Sequence, residues 1–248
     1  MAQCELTYRP RAPLDVALAA AQHAAYEDAL TRLGCSILRL DASAGMPDCV
    51  FVEDTAVVLD EIAVIARPGA ASRRPETTAV IDALEPHRPI GCIEAPATLD
   101  GGDVLAAGRA IYVGRSRRTN DAGAAQMRAL TAPFGYTVRQ VAVEGCLHLK
   151  SAVTAVSDGT LLINPAWVRQ DDFAGFDCIA VDPKEAAAAN IVRIGNALLY
   201  SSGFPHTLER LQRRGLPVTA VDVGEIAKAE GAVTCCSLIF KDFAKPTR

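Results

Sequence analysis

The chain has 248 residues, 50% of them hydrophobic and 22% charged, enough to bury a sizeable core. Its formal charge is −4, from 25 basic and 29 acidic residues, and the basic pairs Arg73-Arg74, Arg117-Arg118 and Arg213-Arg214 are scattered, so no nucleic-acid partner is expected. No apolar run is long enough for a membrane span, the N-terminus lacks the regions of a signal peptide, and the cysteines form no C-x-x-C pair, so a cytoplasmic, reduced protein with no metal site is expected.

Residues 15–33 read as the first helix. Asp15 can cap it, Leu18, Ala19, Tyr26, Leu30 and Leu33 share one face with Gln22 as a polar interruption, and Gly34 ends it. A strand follows at 36–40, then a strand pair at 50–59 and 61–67, a helix at 75–84 and a strand at 91–94. The same order returns with strands at 103–106 and 110–113, a helix at 120–130 and a strand at 136–143. It returns again with strands at 151–156 and 159–163, a poorer helix near 165–173 and a strand at 178–181. A fourth copy has strands at 191–194 and 197–200, a helix at 205–214 and a strand at 218–222. Residues 235–240 begin what would be a fifth unit.

The repeating element is strand, strand, helix, strand, with a period of roughly 40–50 residues. Such units cannot bury their apolar faces alone and must pack on one another. A ring would close the set without an open edge; an ordinary mixed α/β sheet is the alternative. The polar residues of interest recur at like places in each unit, in its first strand or the segment leading into it: Glu53-Asp54, Asp100 with Asp103, His148 and Cys235. A ring would gather them around one axis, and that favours a ring formed by residues 1–248 as a single domain.

Val233-Thr234-Cys235-Cys236-Ser237 places two adjacent cysteines where the turn Glu230-Gly231 passes into an apolar strand, so a thiol can stand at the mouth of a pocket. His148 lies between Leu147 and Leu149, which would shield its imidazole and favour a near-neutral pKa suited to proton transfer; a satisfied core histidine is the alternative. In Leu99-Asp100-Gly101-Gly102-Asp103 the glycines let the backbone turn tightly and approach a ligand, although a turn with solvated aspartates reads the same way. Glu53 and Asp54, adjacent within an apolar strand, would point to opposite faces, so at least one carboxylate should be buried and in need of a cation. Arg73 and Arg118 follow serine-containing loops and could grip a carboxylate or simply lie on the surface. The G-x-S-x-G, H-E-x-x-H and G-x-x-x-x-G-K-[ST] motifs are absent. Acids around a thiol select a cationic electrophile, and a guanidinium carbon fits.

Six motifs resemble the dimethylarginine dimethylaminohydrolase family: Phe51-Val52-Glu53-Asp54, Arg67-Pro68-Gly69-Ala70 with Ser72-Arg73-Arg74, Leu99-Asp100-Gly101-Gly102-Asp103-Val104-Leu105, Arg118-Thr119-Asn120, Leu147-His148-Leu149-Lys150-Ser151 and Thr234-Cys235-Cys236-Ser237. They stand in that family's order. The resemblance implies a pentein, a five-bladed pseudo-symmetric α/β propeller of ββαβ units around a central active site. It also implies hydrolysis of methylated arginines to citrulline and an amine without a cofactor. By the same resemblance Cys235 is the nucleophile, His148 the acid and base, and Asp100 its orienting partner. Glu53 and Asp54 would hold the guanidinium nitrogens, Arg73 and Arg118 the substrate carboxylate, Asp48 its amine, and Leu6 would belong to the lid. Glu230 stands, one methylene longer, where the family has an acid near the nucleophile, and Cys236 would pack in the core. The partner is then a small guanidino compound, bound by a monomer or homodimer. An arginine deiminase, an amidinotransferase or a non-catalytic propeller resembling a ribosome anti-association factor are the rival readings.

Overall fold

In the computed structural model, which describes residues 1, 3–41 and 45–242, one connection pattern is repeated in four small sheets. The chain opens on helix α1 (Val16–Arg32). The first sheet holds β1 (Ala56–Val58) antiparallel to β2 (Ala63–Ile65), with β3 (Ile90–Cys92) parallel to β2 after the crossover helix α2 (Thr77–Leu84). In the second, β4 (Val104–Ala107), β5 (Ala110–Arg115) and β6 (Thr137–Ala142) repeat this around α3 (Asp121–Thr131). The one-turn helix α4 (Leu149–Ala152) leads into the third, β7 (Val153–Ala155), β8 (Thr160–Ile163) and β9 (Asp177–Ala180). The fourth is β10 (Ile191–Ile194), β11 (Ala197–Ser201) and β12 (Val218–Val221) around α5 (Pro205–Arg213), and α6 (Gly224–Lys228) follows. A hairpin joins the first two strands of each sheet, whereas the parallel third strand needs a crossover.

The middle strand of each sheet is buried most deeply. Val64, Ile111, Leu161, Leu162 and Leu198 are fully enclosed, as expected of strands covered on both faces. Apolar clusters connect one sheet to the next. Val57 and Val64 pack with Val104 and Ile111, Leu105 and Tyr112 with Leu161 and Phe173, and Leu162 and Ile179 with Leu198 and Tyr200. Val192 and Leu199 then pack with Tyr26, Leu30 and Cys236, while Leu238 and Phe240 reach back to Ala63 and Ile65 of the first sheet. Among the described residues, no helix is long and apolar enough to cross a membrane.

Asp15 caps α1 by accepting a hydrogen bond from the Leu18 amide at 3.0 Å. The buried stripe runs through Ala19, Gln22, Tyr26, Ala29 and Leu30, leaving the expected core residue Leu18 exposed. Gln22 is no interruption, because its Oε1 accepts from the Glu225 amide at 2.8 Å and satisfies the start of α6.

Several sequence expectations are corrected. Residues 36–40 and 235–240 form no strand, because neither is paired into a ladder. Ile37, Leu38 and Leu40 stay exposed, and residues 233–236 form a turn in which the Cys235 amide donates to Ala232 O. The expected strand at 50–59 is a 3-10 turn, Val52–Thr55, followed by β1. The expected helix start at Pro75 is also a 3-10 turn, Ala71–Glu76, and within the expected third crossover helix only Gln170–Phe173 is helical, as a single 3-10 turn. Residues 151–152 belong to α4 rather than to a strand.

Candidate active site

Cys235, His148, Asp54, Asp48, Arg73, Arg118 and Glu230 line one cavity, together with Glu5, Phe51, Leu147 and Ala229, none of them an expected site residue. Segments from both ends and the middle of the chain thus meet at one place.

The Val52–Thr55 turn directs its two acids to different partners. Asp54 Oδ2 accepts from Arg73 at 2.5 Å, while its Oδ1 accepts from the Gly102 amide at 3.1 Å and lies 3.6 Å from His148 Nδ1. Burial opposes ionisation of Asp54, but His148 and Arg73 outweigh it and hold its pKa below the usual carboxylate value. Glu53 points away from the cavity. It accepts from Lys150 Nζ and Thr234 Oγ1, both at 2.6 Å, and its amide donates to Cys235 O at 3.1 Å. Of the pair expected to hold a guanidinium, only Asp54 therefore lines the cavity.

His148 stands just before α4, with its ring buried between carboxylates. Nε2 is 3.0 Å from Asp100 Oδ2 on the side opposite Asp54. Burial disfavours the imidazolium, but Asp54, Asp100 and Asp103 prevail and push its pKa up to about 9. The near-neutral value expected from the flanking leucines is corrected by these carboxylates. Asp100 lies behind the ring, fully buried, and its Oδ1 accepts from the Gly69 amide at 2.8 Å.

Asp103 is a supporting acid not carried into the expected site. It accepts from the Leu149 amide at 3.0 Å, from Ser116 Oγ at 2.5 Å and from Thr119 Oγ1 at 2.7 Å. Thr119 Oγ1 in turn accepts from the Asp100 amide at 3.1 Å. One carboxylate therefore braces the Leu149 amide next to His148 directly and the Asp100 amide through Thr119, and burial pushes its own pKa up to about 6. The repeated Asp in the D-G-G-D motif was the available signal.

The turn after α6 carries the thiol. Cys235 is partly exposed, and its Sγ accepts from the Ala232 amide at 3.3 Å. Burial, followed by the charges of Glu53 and Asp54, pushes this thiol well above the usual range. Cys236 is buried among Tyr26, Phe51 and Ile226, as expected of a core cysteine.

The two arginines differ. Arg73 is bonded to Asp54, Glu76, Phe51 O and Asp48 O. Arg118 contacts Thr7 Oγ1 at 3.2 Å and lies 3.9 Å from Asp100. Glu230, at a left-handed φ of 60°, accepts from the amides of Thr7, Tyr8 and Arg9 at 2.9, 2.6 and 2.5 Å. Asp48 accepts from the Glu5 amide at 3.1 Å, and burial raises its pKa. These bonds hold residues 5–9 against the cavity, and Leu6 packs half-buried towards the α1 cluster without lining it.

Asp54, Asp100 and His148 each offer a ligand atom within 4.8 Å of the others, the one such group among the described residues. An imidazolium hydrogen-bonded to Asp100 and ion-paired with Asp54 accounts for this spacing by charge alone.

No family model matches the chain. The chain is 41% identical over 247 residues to N(G),N(G)-dimethylarginine dimethylaminohydrolase of Streptomyces coelicolor, covering 98% of this chain and 93% of that one. It superposes with a TM-score of 0.91 on a cysteine-to-serine mutant of the enzyme from Pseudomonas aeruginosa complexed with citrulline, at 35% identity and covering 95% and 93% of the two chains. The N-terminal domain of ArgZ, an arginine dihydrolase from cyanobacteria, shares the fold with a TM-score of 0.81 at 20% identity, covering 91% and 87%.

Proposed function

This chain belongs to the dimethylarginine dimethylaminohydrolase family, and we propose from that premise that it hydrolyses methylated arginines to citrulline and methylamine or dimethylamine. The observation that carries this reading is the lining of a single cavity by Cys235, His148 and Asp54, three residues that provide a thiol, a protonated imidazole and an anion for a planar cation.

The reaction follows from the charges. In the free site the carboxylates and burial keep the Cys235 thiol protonated. An entering guanidinium sits against Asp54, compensates that negative field and favours the thiolate, the thiol proton passing to solvent, so nucleophile formation depends on binding the correct cation. The sulfur attacks the guanidinium carbon and a C–S bond forms. His148, protonated at neutral pH, gives its proton to the departing amine as the C–N bond breaks. The now neutral imidazole takes a proton from water, whose oxygen adds to the same carbon. The C–S bond breaks, the hydroxyl proton passes to the sulfur and restores the thiol, and citrulline leaves. Asp100 orients the imidazole throughout, and Arg118 takes the substrate carboxylate while Asp48 takes its amine.

The packing clusters, each joining one unit to the next, support a five-bladed propeller in one domain, with α1 and residues 233–240 standing in the place of the fifth blade. The test is citrulline formation from asymmetric dimethylarginine, monomethylarginine and arginine, measured side by side with wild type and Cys235→Ser. Release from the methylated substrates by wild type alone is expected. Release by the serine variant at the wild-type rate would contradict the reading.

A further inference from the structure

Asn190 lies just before β10, buried at 4% exposure, and does not line the cavity. Its side chain nevertheless touches both segments that carry the reacting groups. Nδ2 donates to Lys150 O at 3.0 Å, in the helix that follows His148, and to Thr234 Oγ1 at 2.9 Å, in the residue before Cys235. Oδ1 accepts from the Thr234 amide at 3.0 Å. The Thr234 hydroxyl uses its one proton on Glu53, which also receives Lys150 Nζ, so residues 190, 234, 53 and 150 close a ring of hydrogen bonds. The orientation of the amide is fixed by this ring. Turned over, it would set N–H against the Thr234 amide and oxygen against Lys150 O.

We propose that Asn190 is a positioning residue which sets the placement of Cys235 relative to His148 by tying the Thr234 backbone to the α4 backbone. This rests on the reading of Cys235 and His148 as the reacting pair. The two ties to Thr234 are bonds between buried groups and the one to Lys150 O is partly buried, so their loss leaves unsatisfied partners and lets the sulfur-bearing turn shift against the imidazole. Displacements near 1 Å can reduce turnover by about 100-fold without altering the reacting groups themselves. Cation binding at Asp54 does not pass through this ring, so affinity should be spared.

The experiment compares wild type, Asn190→Ala, Thr234→Val and the double variant by kcat and KM on asymmetric dimethylarginine. Rates are expressed per active site titrated by alkylation of Cys235. Asn190→Ala is expected to lower kcat by about 100-fold with KM within about threefold, and the double variant should be little worse than the poorer single one. 2-Chloroacetamidine, a small planar cation that favours the Cys235 thiolate as the substrate does, is the alkylating probe; it should still label Cys235 and leave the core residue Cys236 unlabelled. A general loosening of the fold would expose Cys236 and reduce the number of titratable sites, and that result would overturn the proposal. It is equally overturned by an unchanged kcat per site, by a loss confined to KM, or by single-variant losses that multiply. If Asn190→Ala does not fold, Thr234→Val decides alone, and a normal kcat there overturns the proposal. Cys235→Ser, run in parallel, tests the underlying reading separately, because its activity does not depend on how the turn is tied.

Discussion

His148 carries its proton because carboxylates surround it, and the same charges make it a pH-dependent part of the fold. Its pKa is about 9 in the folded chain against 6.5 for an unperturbed histidine. The folded state therefore holds the proton more tightly. This contribution is fully present below pH 6.5, declines as the pH rises, and is lost above about 9; the shift corresponds to something on the order of 3 kcal/mol. Urea unfolding below pH 6.5 and above pH 9 should show a larger loss of stability in wild type than in His148→Gln. Equal losses in the two proteins would contradict this electrostatic account. The sequence identified the residue but not its charge, since the acids around it come from positions 54, 100 and 103 and no local pattern announces their convergence.

Between elements, close approach explains what composition alone left open. The glycines of the D-G-G-D motif suggest a tight turn, yet neither has a left-handed φ. They are required by space. A Cβ on Gly101 would stand 2.0 Å from Glu53 O, and one on Gly102 would stand 2.6 Å from both Asp54 Oδ1 and His148 Nδ1. Gly102→Ala therefore drives a methyl group between the acid and the imidazole. It should lower citrulline release by about 100-fold or more with every reacting group retained. A rate near wild type, measured on folded protein, would show that this contact is not needed. The neighbouring turn was misread for a related reason. Val50, Phe51 and Val52 are strand-like by composition. Tertiary pairs then pull the next two acids aside, Glu53 to Lys150 and Thr234, and Asp54 to Arg73 and Gly102, and the backbone coils to deliver them.

At the scale of the molecule, the four complete units were legible because each contains its own hairpin and crossover within one stretch of chain. The strands expected at 36–40 and 235–240 do not form; alternating apolar residues cannot report whether a pairing strand lies beside them. The bonds from Glu230 to Thr7, Tyr8 and Arg9 were equally invisible, with more than 200 residues between the partners. Each motif was readable by itself, whereas the hydrogen bonds that join the motifs exist only in the folded chain. The central claim, that this folding delivers the sulfur of Cys235 to a guanidinium carbon opposite His148, can be measured directly. Wild-type enzyme quenched during turnover of asymmetric dimethylarginine and digested should yield a peptide bearing a substrate-derived mass on Cys235. A peptide without any addition, or with the addition on Cys236, would contradict it.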